Sequence, residues 1–103
     1  MGTLSTRELD ALVEEATVDA YGEDEQLSGF SVMIDNDLAL PFDTVVLGIE
    51  VTVTKVEQVA GNGIAAVCRR GRFTQRIGIL DLPLPSPPPD GAQWIEAYRH
   101  WAR

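Results

Sequence analysis

The apolar spacing of this chain changes from helical to strand-like at Pro41, and that change limits the folds open to it. Upstream, Leu9, Leu12, Val13, Ala16 and Ala20 recur at helical spacing, and Leu27, Phe30, Ile34 and Leu38 follow at intervals of three, four and four. Each set falls on one face of a helix. Downstream, Ile49, Val51 and Val53 alternate with Glu50, Thr52 and Thr54, and Phe73, Gln75, Ile77 and Ile79 alternate with Arg72, Thr74 and Arg76. That is the period of two of a strand. Pro41 fixes the boundary, because the residue before a proline is driven out of the helical region. Helices first and strands second is an α+β arrangement.

Local signals sharpen the elements. Ser5 and Glu8 have the spacing of a capping box, with Leu4 and Leu9 placed as a hydrophobic staple, for a helix over Thr6 to Ala20. Its wet face sets Asp10 against Glu14 and Glu15 against Asp19. Like charges four apart cost roughly 0.2–0.5 kcal/mol each, so this helix depends on docking its apolar stripe. Gly22 breaks it, and Glu23, Asp24 and Glu25 suit the N-terminus of a second helix. Gly29 costs that helix about 1 kcal/mol relative to alanine, and Val32-Met33-Ile34 also reads as a short strand.

Val45 to Val59 is β-rich, with a phase slip at Lys55-Val56 that predicts a bulge or strong twist. Gly61-Asn62-Gly63 predicts a hairpin, Ile64 to Arg69 a strand, and Arg70-Gly71 another tight turn. The expected result is a short antiparallel meander closing into a small SH3-like β-barrel. Leu82 to Pro89 holds five prolines in eight residues, an extended tether. Asp90 and Gln93 then form a capping box for a docked C-terminal helix carrying Trp94, Tyr98 and Trp101 on one face. Residues 1–103 read as a single domain: an acidic helical region over 1–40, the barrel over 42–80, and the tether with its helix over 81–103.

Charge is divided unevenly along this plan. Residues 1–50 contain one basic residue, Arg7, against twelve acidic ones, whereas residues 51–103 contain seven basic against four acidic. Crowded like charges destabilise a small surface unless a cation, a basic partner or the chain's own basic half compensates. A net charge of −8 argues against nucleic acid as the main partner. The single cysteine, Cys68, forms no internal disulfide and fits a reducing compartment. With no secretory leader and no apolar run of about 20 residues, the expectation is a cytoplasmic protein without a membrane partner.

The residues with possible chemistry are few. Asp19, Glu23, Asp24, Glu25, Asp35, Asp37 and Asp43 flank turns, where flexible carboxylates can supply the six to eight oxygens that calcium takes. EF-hand spacing fails: counting from Asp35 places Leu40 where the loop needs glycine, and counting from Asp19 places Asp24 there. The same acids also read as a solvated face. Arg69, Arg70, Arg72 and Arg76 form a basic hairpin tip, best read as solvent-facing or paired with the acidic half or with a second copy. Pro85-Ser86-Pro87-Pro88 has the form of a PxxP ligand, but a tether explains it equally. His100 and Cys68 are single residues too few for a usual zinc site, and no phosphate-binding glycine motif is present. The chain is therefore read as non-enzymatic.

Two stretches carry a family resemblance. Val18-Asp19-Ala20-Tyr21-Gly22-Glu23-Asp24-Glu25-Gln26 with Gly29-Phe30 is one, and Asp35-Asn36-Asp37-Leu38 with Leu40-Pro41-Phe42 is the other. Together, over about residues 13–56, they resemble the CcbP family of small acidic calcium-binding proteins. Phe30 stands where that pattern has tryptophan. The resemblance implies an α+β protein that binds Ca2+ at acidic surface loops without an EF-hand and buffers or senses the ion. Asp19, Glu23, Asp24, Glu25, Asp35, Asp37 and Asp43 would be the ligand pool, at micromolar to millimolar affinity. The alternative is a protein–protein interaction module whose acidic face docks a basic partner. The expected state is a monomer or weak dimer.

Overall fold

The structure is a computed structural model and describes residues 4–59 and 63–103. Its elements are α1 (Thr6–Ala16), α2 (Glu23–Asp37), β1 (Phe42–Val46), β2 (Ile49–Val59), β3 (Gly63–Arg70), β4 (Phe73–Gly78), a 3-10 turn (Ile79–Asp81) and α3 (Gln93–Ala102). Helices and strands thus divide at Pro41, as the change of period predicts.

The capping box at α1 forms. The Glu8 N–H donates to Ser5 Oγ at 3.2 Å, and the Ser5 N–H donates to Glu8 Oε1 at 3.4 Å. The helix ends at Ala16 rather than Ala20. Thr17 Oγ1 donates to the Val13 carbonyl at 2.7 Å, and Asp19 adopts a φ of +62°. That left-handed conformation suits aspartate better than most side chains and turns the chain toward α2. A Cβ on Gly29 would overlap the Ala16 carbonyl oxygen, so the helix-propensity cost of this glycine is offset by a close helix crossing. Val32-Met33-Ile34 is helical, and the strand alternative for it is discarded.

The four strands form an antiparallel meander in the order β1-β2-β3-β4. The expected barrel does not close: among the described residues β1 and β4 do not pair. Phe30 and Ile34 of α2 and Tyr98 of α3 cover the sheet face around Val53 and Ile64, so helices bury part of the apolar face that closure would otherwise bury. The β-rich run from Val45 to Val59 contains the end of β1 and the whole of β2. Leu47 and Gly48, with φ of +50° and +78°, make a two-residue turn between the paired Val46 and Ile49. Two positive φ values are the pattern of a type I′ turn, here without the Asn-Gly signature that usually announces it. The bulge lies at Thr54, one residue before the phase slip: Val53 pairs with Cys68 and Lys55 with Val67. Of the predicted Gly61-Asn62-Gly63 hairpin, Gly63 is the first residue of β3 and pairs with Val59, and residues 60–62 lie outside the described residues.

The capping box expected at Asp90 and Gln93 does not form. Ala92 is the N-cap of α3, and among the described residues no side chain caps it. Asp90 instead accepts the Ala39 N–H through its carbonyl at 2.8 Å, and Gly91, at a φ of +90°, packs where a Cβ would overlap the Asp37 carbonyl. This bracket ties the end of α2 to the start of α3. The aromatic face of α3 docks as expected. Phe30 lies 5.7 Å from Tyr98 and 5.3 Å from Trp101 between ring centroids, over a floor of fully buried Val53, Ile64, Ile79 and Ile95.

Candidate functional site

The seven predicted acids separate into three groups. Asp19 lies in the turn after α1, and Glu23, Asp24 and Glu25 form the first turn of α2, all exposed. Among the described residues, no side-chain hydrogen bond or ion pair engages any of these four carboxylates. They belong to a run, residues 14–25, with six acids and no basic residue. The N-terminal dipole of α2 relieves part of the repulsion among Glu23, Asp24 and Glu25.

Asp35 and Asp37 lie in the last turn of α2, which contains no basic residue. Carboxylates are disfavoured at that end of a helix. Asp37 is compensated by Trp94, whose Nε1–H donates to Asp37 Oδ2 at 2.6 Å. Asp35 is exposed and has no such donor among the described residues. Asp43, on β1, accepts the Thr52 hydroxyl at 2.7 Å across the β1–β2 pair. Asp37 and Asp43 therefore each hold a structural hydrogen bond, whereas Asp19, Glu23, Asp24, Glu25 and Asp35 are free to turn toward a ligand. Among the described residues, no three Asp, Glu, His or Cys side chains converge as a preformed metal cage.

The junction also exposes two apolar side chains that charge counting passes over. Val18 is 68% exposed and Tyr21 is 89% exposed, in the middle of the six acids. The only sequence signal for them is their position off the apolar stripes of both helices.

The basic residues behave differently. Arg76 donates through Nε to Glu57 Oε1, and Lys55 Nζ lies 3.7 Å from Glu57 Oε2. The hydrogen bond from Arg76 is the main reason the Glu57 carboxyl is held below its usual pKa. Lys55 and Arg76 are the register partners of Val67 on either side, so their stems lie beside this buried residue on the face of the sheet away from the helices. Arg69 donates to the Gly71 carbonyl at 3.3 Å within the β3–β4 turn.

His100 and Cys68 do not meet. His100 Nε2 lies 2.8 Å from Asp10 Oδ1, linking α3 to α1. Cys68 is buried in the sheet, and burial pushes its thiol pKa up, away from the reactive thiolate. No helix is long and apolar enough to cross a membrane among the described residues. No family model matches this sequence, and no curated protein or solved structure matches it.

Proposed function

We propose that this protein binds calcium weakly and reversibly at the acidic junction between α1 and α2, as a buffer or sensor of the ion. The observation that carries this reading is the set of exposed, unpartnered carboxylates at Asp19, Glu23, Asp24 and Glu25, in a stretch without a single cation. Calcium tolerates irregular oxygen geometry, so side chains on a turn and a first helical turn can gather around it. Gathering them costs side-chain entropy and works against the positive end of α2, which keeps the affinity at the weak end of the scale. The resemblance of both acidic stretches to the CcbP family supports the same reading. Magnesium binds less well, because it demands tight octahedral geometry and sheds water reluctantly.

Titration calorimetry with calcium, paired with thermal melts, tests this. At ten times the dissociation constant, calcium adds about 1.4 kcal/mol to stability, reversed by EGTA. The combined variant Asp19→Asn, Glu23→Gln, Asp24→Asn loses the effect, whereas Asp43→Asn keeps it. Absence of both heat and melting shift at millimolar calcium refutes the proposal.

Val18 and Tyr21 favour a second reading, in which the same junction docks a basic protein. An exposed tyrosine inside a charged rim is the usual form of a binding anchor. Such docking weakens with salt and is indifferent to EGTA, which separates it from calcium binding.

A further inference from the structure

The helix-facing side of the sheet continues beyond α2 and α3 and ends uncovered. Val46, Ile49, Val51 and Ile77 continue in register from the buried Val53 and Cys68, and with Leu47 and Phe73 they line a trough of about 550 Å3. Leu47 is 96% exposed and Phe73 is 75% exposed. A contiguous apolar surface of this kind on a small protein marks a binding site. Three further observations specify its occupant.

The first is the state of the two sheet edges. At β1, Thr44 Oγ1 donates to the Pro83 carbonyl at 2.5 Å, so the proline segment lies along that edge. At β4, Phe73 to Arg76 are exposed, and among the described residues no backbone hydrogen bond reaches the strand except from β3. A free strand edge pairs with an added extended segment.

The second is charge. Arg70 lines the trough, and Arg69 and Arg72 flank the turn at its mouth. Among the described residues none of the three is in an ion pair, although the chain carries sixteen acids. The acidic junction lies toward the other end of the sheet, since Ser28 of α2 bonds to Gln58 at the far end of β2 at 3.2 Å. Cations beside an open edge hinder pairing with a basic strand and select carboxylates.

The third is the pleat. A strand added to β4 sets every second side chain on the face of Phe73, Gln75 and Ile77, over the trough. We propose that the β4 edge and its trough take an extended segment of a partner protein in which apolar residues alternate with acidic ones. A second copy meeting this face by twofold symmetry would bring the two arginine sets together, which favours a different chain as the partner.

Fluorescence anisotropy tests this with a labelled synthetic peptide of about seven residues, the length of a typical strand, alternating Glu with Val and Phe. The expected result is saturable, salt-sensitive binding that is indifferent to EGTA. It weakens about tenfold or more in Arg70→Glu/Arg72→Glu and in Phe73→Ser, because each removes charge complementarity or an apolar contact. These positions are exposed, so circular dichroism and melting of the variants stay as in the wild type. A peptide N-methylated at alternate backbone nitrogens fails to bind. The proposal is overturned by any of four results: no binding at millimolar peptide, equal binding of a Lys-for-Glu peptide, equal binding of the N-methylated peptide, or a wild-type dimer in sedimentation that Phe73→Ser dissociates.

Discussion

The two ends of one sheet face are built from similar residues and reach opposite outcomes. At the end nearer the β2–β3 connection, Val53, Val56 and Ile64 disappear under Phe30, Ile34 and Tyr98, and the sheet becomes the floor of the core. At the other end, Ile49, Leu47 and Phe73 continue the same face and stay exposed, with no helix above them among the described residues. The difference lies in α2 and α3, which are fixed by the Asp37–Trp94 bond and the bracket at Asp90 and Gly91. The charges divide in the same way. The acidic junction belongs to the covered end, and Arg69, Arg70 and Arg72, which are in no ion pair among the described residues, belong to the open one.

Paired truncations at the two ends give the largest expected difference. Phe30→Ala empties a fully buried site in contact range of two aromatic rings and costs about 3–5 kcal/mol in urea unfolding. Phe73→Ser, on the same layer of secondary structure but 75% exposed, changes stability by less than about 0.5 kcal/mol. Equal losses would show that the open end is packed in solution.

Trp94→Phe keeps the buried ring and removes the donor to Asp37. The expected loss is about 1.5–3 kcal/mol, the range for a hydrogen bond to a charged acceptor, and Asp37→Asn removes part of that difference in a double-mutant cycle. A smaller effect belongs to the proline segment. Thr44→Val removes the bond to Pro83 and costs about 0.5–1.5 kcal/mol, with hydrogen exchange at β1 rising before that at β3.

The smallest effect is a pH dependence at Glu57. Its folded-state pKa is lowered, so the pair with Arg76 stabilises the protein above the usual carboxylate range. The contribution is lost as pH falls through the lowered value. Melting curves of wild type and Glu57→Gln therefore differ slightly at pH 7 and converge in acid. A difference that grew on acidification would contradict the assignment.

Much of this molecule is legible in the sequence where one physical signal acts alone. Pro41 separates helix from strand, Ser5 and Glu8 start α1, and Phe30, Ile34 and Leu38 with Trp94, Tyr98 and Trp101 form the core. The errors arise where tertiary contacts decide. Gly29 scores only as a poor helix former, yet it makes room for the Ala16 carbonyl. Leu47-Gly48 turns with no turn signature, because the pairing of β1 with β2 imposes the positive φ values. Asp90 looks like a helix cap and instead serves through its backbone. Strand length and twist taken alone predict barrel closure, and the helices that cover part of the sheet's inner face lie outside that local signal.

The acidic pool shows the same limit. Composition and motif mark seven carboxylates as equivalent, whereas the fold commits Asp37 to Trp94 and Asp43 to Thr52. Only the three-dimensional arrangement separates acids that hold the structure together from acids that remain free to act.

We propose that the free acids at the α1–α2 junction bind calcium. A calcium titration followed by 15N–1H correlation spectra tests it most directly. The expected result is saturable shifts concentrated between Asp19 and Glu25, reversed by EGTA, with the β4 amides unmoved and magnesium producing weaker changes. Shifts that are absent at millimolar calcium, or spread evenly over every acid from Glu8 to Asp90, would contradict it.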